Sequence, residues 1–286
     1  SAARRSRIDQ NVRKGGVGVE NPLLRYPAQW AYFRKLLTPQ EQQIYDRIEA
    51  ALARLEFKVR LPEVRTETLG RVLSALRYDH PERVFYVDLN AVRGVTERTR
   101  LGLLTTSAST TLELPSRYPG VDFFQKLAET TAYTDYILRR QQETGAYTDY
   151  EIAKLVHDEL ARSIRYRDHG PESHTMLGAI EGQAVCEGIA CLYKYLTSIL
   201  GVHSFVVVGE LRGSGQMRGD DNHAYNIVRI GKENLFVDVT NDLSFGAAVP
   251  RQDHFAKTRA ELWATHRPID LRTIPEGVVG REVAAW

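Results

Sequence analysis

The stretch from Glu181 to Asp242 constrains the fold more than any other part of the chain. Apolar residues recur there at helical spacing from about Cys186 onward, which predicts a helix with a buried face. Two strand-like segments follow, one opening at His223 and one spanning 235–240, with a Gly-Lys-Glu-Asn turn signal between them. The pattern therefore indicates a helix followed by a two-stranded hairpin. The helical stripe consists of Val185, Ile189, Leu192, Leu196 and Leu200.

The N-terminal half predicts a smaller, mainly helical unit that ends in extended structure. Thr38-Pro-Gln-Glu provides an N-cap, a proline at the first helical position and the glutamate of a capping box. A second helix is predicted over Thr68–Leu76, a strand over Val84–Leu89 and extended structure over Arg93–Ser116.

A length of 286 residues gives a prior of about two domains. We expect a basic, flexible leader over residues 1–30, an N-terminal α+β helper unit over 31–120 and a catalytic domain over 121–286. The last begins with helical patterns, one of them preceded by a second capping box at Thr148 and Glu151.

Composition narrows the classes of partner and site. The net charge of +2 is too close to neutrality to indicate a nucleic-acid binder, and no apolar run approaches the roughly 20 residues of a membrane span. Two cysteines form neither a disulfide framework nor a zinc ribbon. The sequence leaves the oligomeric state and the compartment open, although secretion after removal of a signal is compatible with a chain that starts at Ser1.

Cys186 is the candidate nucleophile because it stands where the predicted helix begins. Backbone N–H groups and the positive end of the helix dipole favour a thiolate there, and the same N–H groups can hold an oxyanion. Cys191 lies within the helix, where we expect a small buried apolar residue.

A nucleophilic thiol needs a base, and His223 is the candidate because it opens a strand after a loop containing Gly213, Gly215 and Gly219. Asp238 interrupts an apolar strand, so its charge needs a partner such as an imidazole.

The register of the hairpin leaves the choice of carboxylate open. A two-residue turn at Lys232-Glu233 places His223 opposite Asp242 and leaves Asp238 about 14 Å away along the strand. A turn nearer Ile230-Gly231, a bulge or sheet curvature would bring Asp238 closer. Spacing alone does not decide between Asp238 and Asp242.

Three ordered blocks resemble the core of the bacterial transglutaminase-like cysteine protein superfamily. They are Val-Cys-Glu-Gly around Cys186, His-Ala-Tyr-Asn from His223 and Val-Asp-Val-Thr around Asp238, and the last two are separated by the usual fifteen residues. The segment from His157 to Tyr166 also resembles the helix and strand that precede this core. The resemblance covers about 149–243.

This resemblance implies a papain-like α+β core in which a nucleophile helix packs on an antiparallel sheet. It implies acyl transfer on a protein or peptide amide through Cys186, His223 and Asp238, without metal or cofactor. We expect hydrolysis, as a peptidase or deamidase, since water is the default acceptor of a thioester. A cross-linking transglutaminase and a non-catalytic peptide-binding module remain the alternatives.

The oxyanion hole is incompletely specified by the sequence. One donor would be the backbone N–H of Cys186, and Gln183 and Tyr166 are both candidates for the second. Three positions depart from the family pattern and affect substrate fit more than the triad: Ile189 and Tyr225 replace a usual tyrosine and tryptophan, and Asn241 stands near a usual tryptophan.

Overall fold

The computed structural model describes residues 21–23, 26–101, 104–211, 222–263 and 265–268. The helices are α1 (Tyr32–Leu36), α2 (Pro39–Ala53), α3 (Thr66–Asp79), α4 (Pro81–Val84), α5 (Val121–Thr144), α6 (Asp149–Ser163), α7 (Met176–Ile180), α8 (Cys186–Ile199) and α9 (Arg259–Leu262). The strands are β1 (Lys58–Pro62), β2 (Arg93–Leu101), β3 (Leu104–Glu113), β4 (Arg165–Tyr166), β5 (Gln183–Ala184), β6 (Ser204–Leu211), β7 (Asn222–Ile230), β8 (Glu233–Val237) and β9 (His266–Pro268). Short 3-10 turns cover Ala28–Trp30 and Pro171–His174.

The N-terminal helices start where their caps predict. The Thr38 hydroxyl accepts the Glu41 N–H at 3.4 Å, and the Glu41 carboxylate accepts the Thr38 N–H at 2.9 Å, which closes the capping box of α2. Helix α3 confirms the second predicted helix, and β2 with β3 confirms the extended segment. These two strands and β1 form an antiparallel sheet in the order β1-β3-β2.

The strand predicted over Val84–Leu89 is wrong. Pro81 occupies the first position of the one-turn helix α4, because its fixed φ is suited to a helix start. The chain then makes a single β-bridge, between Val87 and Ser116, in place of a ladder. A run of apolar residues this short does not distinguish a buried turn from a strand.

The C-terminal part contains a four-stranded antiparallel sheet in the order β8-β7-β6-β9. Helix α8 packs on β7 and against α6, and it is buried from Gly188 to Ser198. A helix buried on nearly every side is apolar around most of its circumference, as the sequence of α8 is. The mixed helix and sheet architecture confirms the predicted α+β class.

The turn between β7 and β8 fixes the register that spacing left open. Ile230 pairs with Glu233, so the two turn residues are Gly231 and Lys232 and not Lys232 and Glu233. Gly231 has a φ of +60°, a conformation required at the first position of the commonest two-residue hairpin turn and accessible to glycine at little cost.

This turn brings Asp238 nearer to His223. The ladder ends where Asn226 pairs with Val237, and the next residue, Asp238, stands level with Tyr225. Its offset from His223 along the strand is about 7 Å, half of the offset that a turn at Lys232-Glu233 would give. Bending of the chain after Val237 closes the remaining gap.

One continuous core connects the two parts of the chain. It contains Ile48 and Leu76 from the N-terminal helices together with Leu160, Leu192 and Val228 from the C-terminal part. The division at residues 120 and 121 remains a prediction. Residues 1–20 of the predicted leader lie outside the described residues, and so do the glycines at 213, 215 and 219. Among the described helices, none combines the length and the apolar character needed to cross a bilayer.

Candidate active site

Cys186 is the first residue of α8, as predicted, and its side chain is partly buried. The glycine two residues later explains how this helix start reaches its place. A Cβ on Gly188 would lie 2.6 Å from the carbonyl oxygens of both Ser173 and Thr175, a distance that real side chains do not adopt. The glycine of Val-Cys-Glu-Gly therefore lets the start of α8 lie against the 171–175 turn, which fixes the direction in which Cys186 faces.

His223 lies between Cys186 and Asp238. Its Nε2 is 2.7 Å from Oδ2 of Asp238, and the neighbouring Cys186 thiol helps to raise the pKa of the ring. Because Nε2 is engaged by the carboxylate, Nδ1 is the nitrogen left for the thiol. Both His223 and Asp238 are at most 2% exposed. The structure thus brings the three predicted residues together.

Electrostatics stabilise a protonated His223. Burial lowers its pKa, but the Asp238 carboxylate and the thiol outweigh burial and raise the pKa to about 10. Burial also favours the neutral form of Asp238, yet His223 and His266 hold its pKa well below the ordinary value. An imidazole in this position retains a proton that it takes from a thiol.

Asp238 has further partners that sequence reasoning missed. His266 places Nε2 2.8 Å from the same Oδ2, and the Asn241 side-chain amide donates to it at 2.8 Å. The Asn241 backbone N–H donates to Oδ1 at 3.3 Å. His266 lies near Asp238 because strand β9 pairs with β6, and no local sequence pattern predicts this contact.

Asp242 belongs to a separate buried network. It lies 3.1 Å from Nε2 of His157 and 3.1 Å from Nδ1 of His254, and it accepts the His254 N–H at 2.9 Å. Burial raises its pKa, but these bonds outweigh burial and lower it to about 2. The pKa values of both His157 and His254 are raised. The choice that spacing left open therefore falls on Asp238 as the partner of His223.

We expect Asp242→Asn to lower the free energy of unfolding most between about pH 4 and 6.5. Because folding lowers the pKa of Asp242 from 3.8 to about 2, its carboxylate stabilises the fold at pH values above 3.8, and this contribution is lost as the pH falls toward 2. Folding raises the pKa values of His157 and His254 above 6.5, so their contribution to stability is fully present below pH 6.5. It is lost as the pH rises through the pKa values of the folded protein. Urea unfolding of variant and wild type at about pH 2, 5 and 8 measures this window. A difference that is the same at all three pH values would contradict it.

Tyr166 and Gln183, the two candidates for the second oxyanion donor, lie in the paired strands β4 and β5. Tyr166 lies next to Cys186, whose thiol and backbone N–H both act on the pKa of the Tyr166 hydroxyl. Burial and the neighbouring thiol raise the pKa of Tyr166 to about 12. The side-chain oxygen of Gln183 instead accepts from Arg167 at 3.1 Å. Tyr166 is therefore the better placed of the two.

Glu187 connects the start of α8 to the N-terminal helices. Its carboxylate lies 2.6 Å from Arg77, accepts from the Tyr78 hydroxyl at 3.1 Å and lies 3.4 Å from Nδ1 of His174. Arg77 and Tyr78 end helix α3, so the N-terminal part is fastened to the residue that follows Cys186.

Within the described ranges, one group of side chains has the spacing to hold a metal ion: His223, Asp238 and His266, with ligating atoms within 4.8 Å of one another. The Nε2 atoms of both histidines already hydrogen-bond to the shared carboxylate oxygen. Each of these polar atoms therefore has a partner within the group.

The comparison with known protein families matches the segment that contains the three predicted triad residues. Residues 138–239 match the family model of the transglutaminase-like superfamily, and the match includes Cys186, His223 and Asp238. Residues 138–239 are therefore similar to the transglutaminase-like superfamily. The recognition drawn from the three sequence blocks is thus confirmed, and His266 lies beyond the matched segment of the transglutaminase-like core.

Two solved structures are also similar to this chain. A candidate cysteine protease from Cytophaga hutchinsonii is 17% identical, with 56% of this chain and 66% of that chain covered and a TM-score of 0.31. A structure described as a TGase is 12% identical, with 68% of this chain and 53% of that chain covered and a TM-score of 0.31. The chain spans less than two thirds of the length of either. None of the curated proteins matches it in sequence.

Proposed function

We propose that this protein is a cysteine-dependent enzyme that transfers the acyl group of a protein or peptide amide, normally to water. The observation that carries the proposal is the position of His223, whose Nε2 lies 2.7 Å from the Asp238 carboxylate and whose ring neighbours the Cys186 thiol at the start of α8. A base held between a nucleophile and an orienting carboxylate is the arrangement that acyl transfer requires.

The reaction would proceed through a thioester. Nδ1 of His223 takes the thiol proton as Sγ of Cys186 attacks the amide carbonyl carbon. His223 then gives this proton to the leaving nitrogen, and the carbon–nitrogen bond breaks. In the second half, His223 removes a proton from water, the oxygen attacks the thioester carbon and the thiol is regenerated. Asp238 keeps the imidazole in the tautomer that these transfers need and stabilises its charged form.

Tyr166 would complete the oxyanion hole together with the backbone N–H of Cys186. The Tyr166 hydroxyl neighbours the thiol and the backbone N–H of Cys186, so it would lie beside the position where the carbonyl oxygen develops charge. Its side chain is 49% exposed at the surface and can adjust when substrate binds.

We expect Tyr166→Phe to lower kcat by about 10²-fold, since removal of one oxyanion donor costs about this much. Gln183→Leu is the matched control, and we expect it to change kcat little because the Gln183 side chain is engaged by Arg167. Steady-state rates on the same peptide test both variants. A faster Tyr166→Phe enzyme would mean that the hydroxyl blocks the oxyanion position in place of donating to it.

The acceptor is tested by following products. Peptide libraries are incubated with the full chain, with and without an excess of a primary amine, and the products are analysed by mass spectrometry. Hydrolysis predicts backbone scission or conversion of glutamine to glutamate, each lost in Cys186→Ala. Incorporation of the amine in large excess over hydrolysis would replace the hydrolase proposal with a cross-linking one. No product from any library, with Cys186 inert to alkylation, would favour a peptide-binding module.

A further inference from the structure

His266 occupies a second imidazole position on Asp238. Its Nε2 lies 2.8 Å from Oδ2 of Asp238, the same oxygen that receives His223. Its Nδ1 lies 2.8 Å from the hydroxyl of Thr265, and the ring is fully buried. We propose that His266 is a positioning residue that holds the Asp238 carboxylate in the orientation that His223 requires. This inference rests on the proposed function of the triad.

The contacts of His266 leave its ring little freedom. Both ring nitrogens are engaged, and the ring lies edge-on to Tyr225 with centroids 5.2 Å apart and 5.8 Å from the His254 ring. A ring fixed on all sides defines where its Nε2 hydrogen points. It therefore presents a fixed donor to Asp238 from the side of β9.

Asp238 needs such a donor because it lies just beyond the end of β8. Its backbone N–H donates to the His254 carbonyl at 3.0 Å, which anchors the main chain, and its carboxylate is oriented by hydrogen bonds to its two oxygens. The Asn241 amide and His266 donate to Oδ2 from two directions, leaving a third for His223. Loss of His266 would leave a buried carboxylate with fewer donors and permit it to turn.

Displacement of the carboxylate by about 1 Å is enough to lower a rate by about 10²-fold. His266 makes no contact with Cys186 among the interactions of the described residues, so it would act through Asp238 and His223. The rate of proton transfer, and not the binding of substrate, is the quantity that should depend on it.

Two amide substitutions separate the roles of the two ring nitrogens. His266→Gln places its amide nitrogen near the former Nε2, facing Asp238, whereas His266→Asn places it near the former Nδ1, facing Thr265. His266→Leu keeps bulk and removes both ring nitrogens, the donor to Asp238 and the partner of Thr265. The matched control is His203→Leu, in which the lost ring stacks on Trp30 about 20 Å along β6 from the level of His223.

The test measures iodoacetamide alkylation of Cys186 against pH, with thermal unfolding of each variant. We expect His266→Leu and His266→Asn to slow alkylation by about 10- to 100-fold near neutral pH, with a shifted pH profile, and His266→Gln to recover most of the rate. His203→Leu should leave the rate of Cys186 unchanged. With a peptide substrate, kcat should fall and KM should stay the same.

Wild-type alkylation in His266→Leu, or equal losses in the Gln and Asn variants, would overturn the role of His266. If the Leu variant does not fold, the comparison of Gln with Asn decides by itself. His223→Leu is measured in parallel. If His223→Leu leaves the alkylation of Cys186 unchanged, the proposed triad is wrong. If His223→Leu slows alkylation while all His266 variants react normally, only the role of His266 is refuted.

Discussion

Cys186→Ala should abolish acyl transfer, with a fall in kcat of about 10⁶-fold, the scale of loss when the nucleophile of a triad is removed. No other group near His223 can form the thioester. Rates are measured on any peptide turned over by the wild type, and circular dichroism checks the fold. The matched control is Cys191→Ala in the same helix, where the thiol is 2% exposed and burial raises its pKa to about 12.

Cys191→Ala should retain nearly full activity, since a buried protonated thiol contributes packing and not chemistry. Full activity in Cys186→Ala would contradict the proposed function outright. Equal losses in both variants would indicate that the helix, and not the thiol of Cys186, is what activity needs.

Asp238→Asn should lower kcat by about 10⁴-fold, the loss found when the carboxylate of a triad becomes an amide. An asparagine in this position can present N–H groups to Nε2 of His223 and so favour the tautomer in which Nδ1 carries the hydrogen. That tautomer cannot accept the thiol proton. Asp242→Asn is the control, because its carboxylate binds His157 and His254 instead.

Both variants are compared per folded molecule, since Asp242→Asn is expected to destabilise the fold. A larger loss of kcat in Asp242→Asn than in Asp238→Asn would show that the hydrogen bond between Asp238 and His223 does not orient the base.

Local patterns predicted much of the fold. The capping boxes at Thr38 and Thr148 mark the starts of α2 and α6, because the groups that close them lie within four residues. The start of α8 at Cys186 followed from an apolar stripe of helical period. Each of these features depends on neighbours in sequence, which is why sequence reasoning reaches them.

The turn at Gly231 shows where such reasoning needed one more step. Turn signals extend over 231–234, and either of two turn positions suits this composition. Gly231 decides between the two positions, because the common two-residue hairpin turns need a positive φ at their first residue and Gly231 has one. With that register, Asp238 stands two positions and not four from the level of His223.

For a different reason, the sequence assigned no role to His266 and did not favour Tyr166 over Gln183. His266 reaches Asp238 because β9 pairs with β6, and Tyr166 reaches Cys186 because β4 pairs in parallel with β5. These are contacts between segments distant in sequence, and a lone histidine or tyrosine carries no periodic signal. Gly188, the last residue of Val-Cys-Glu-Gly, is recognisable in the sequence as part of that block, but the close approach of the 171–175 turn that requires a glycine there is visible only in the structure.

The reactivity of Cys186 tests the triad most directly, because it requires no knowledge of the substrate. Iodoacetamide is added to the full chain at neutral pH, and alkylation of each cysteine is followed by peptide mass spectrometry in the wild type and in His223→Leu. The triad predicts that Cys186 reacts more than about 100-fold faster than Cys191 and that His223→Leu slows Cys186 by at least about tenfold. Equal rates at the two cysteines, or an unchanged rate at Cys186 without His223, would contradict it.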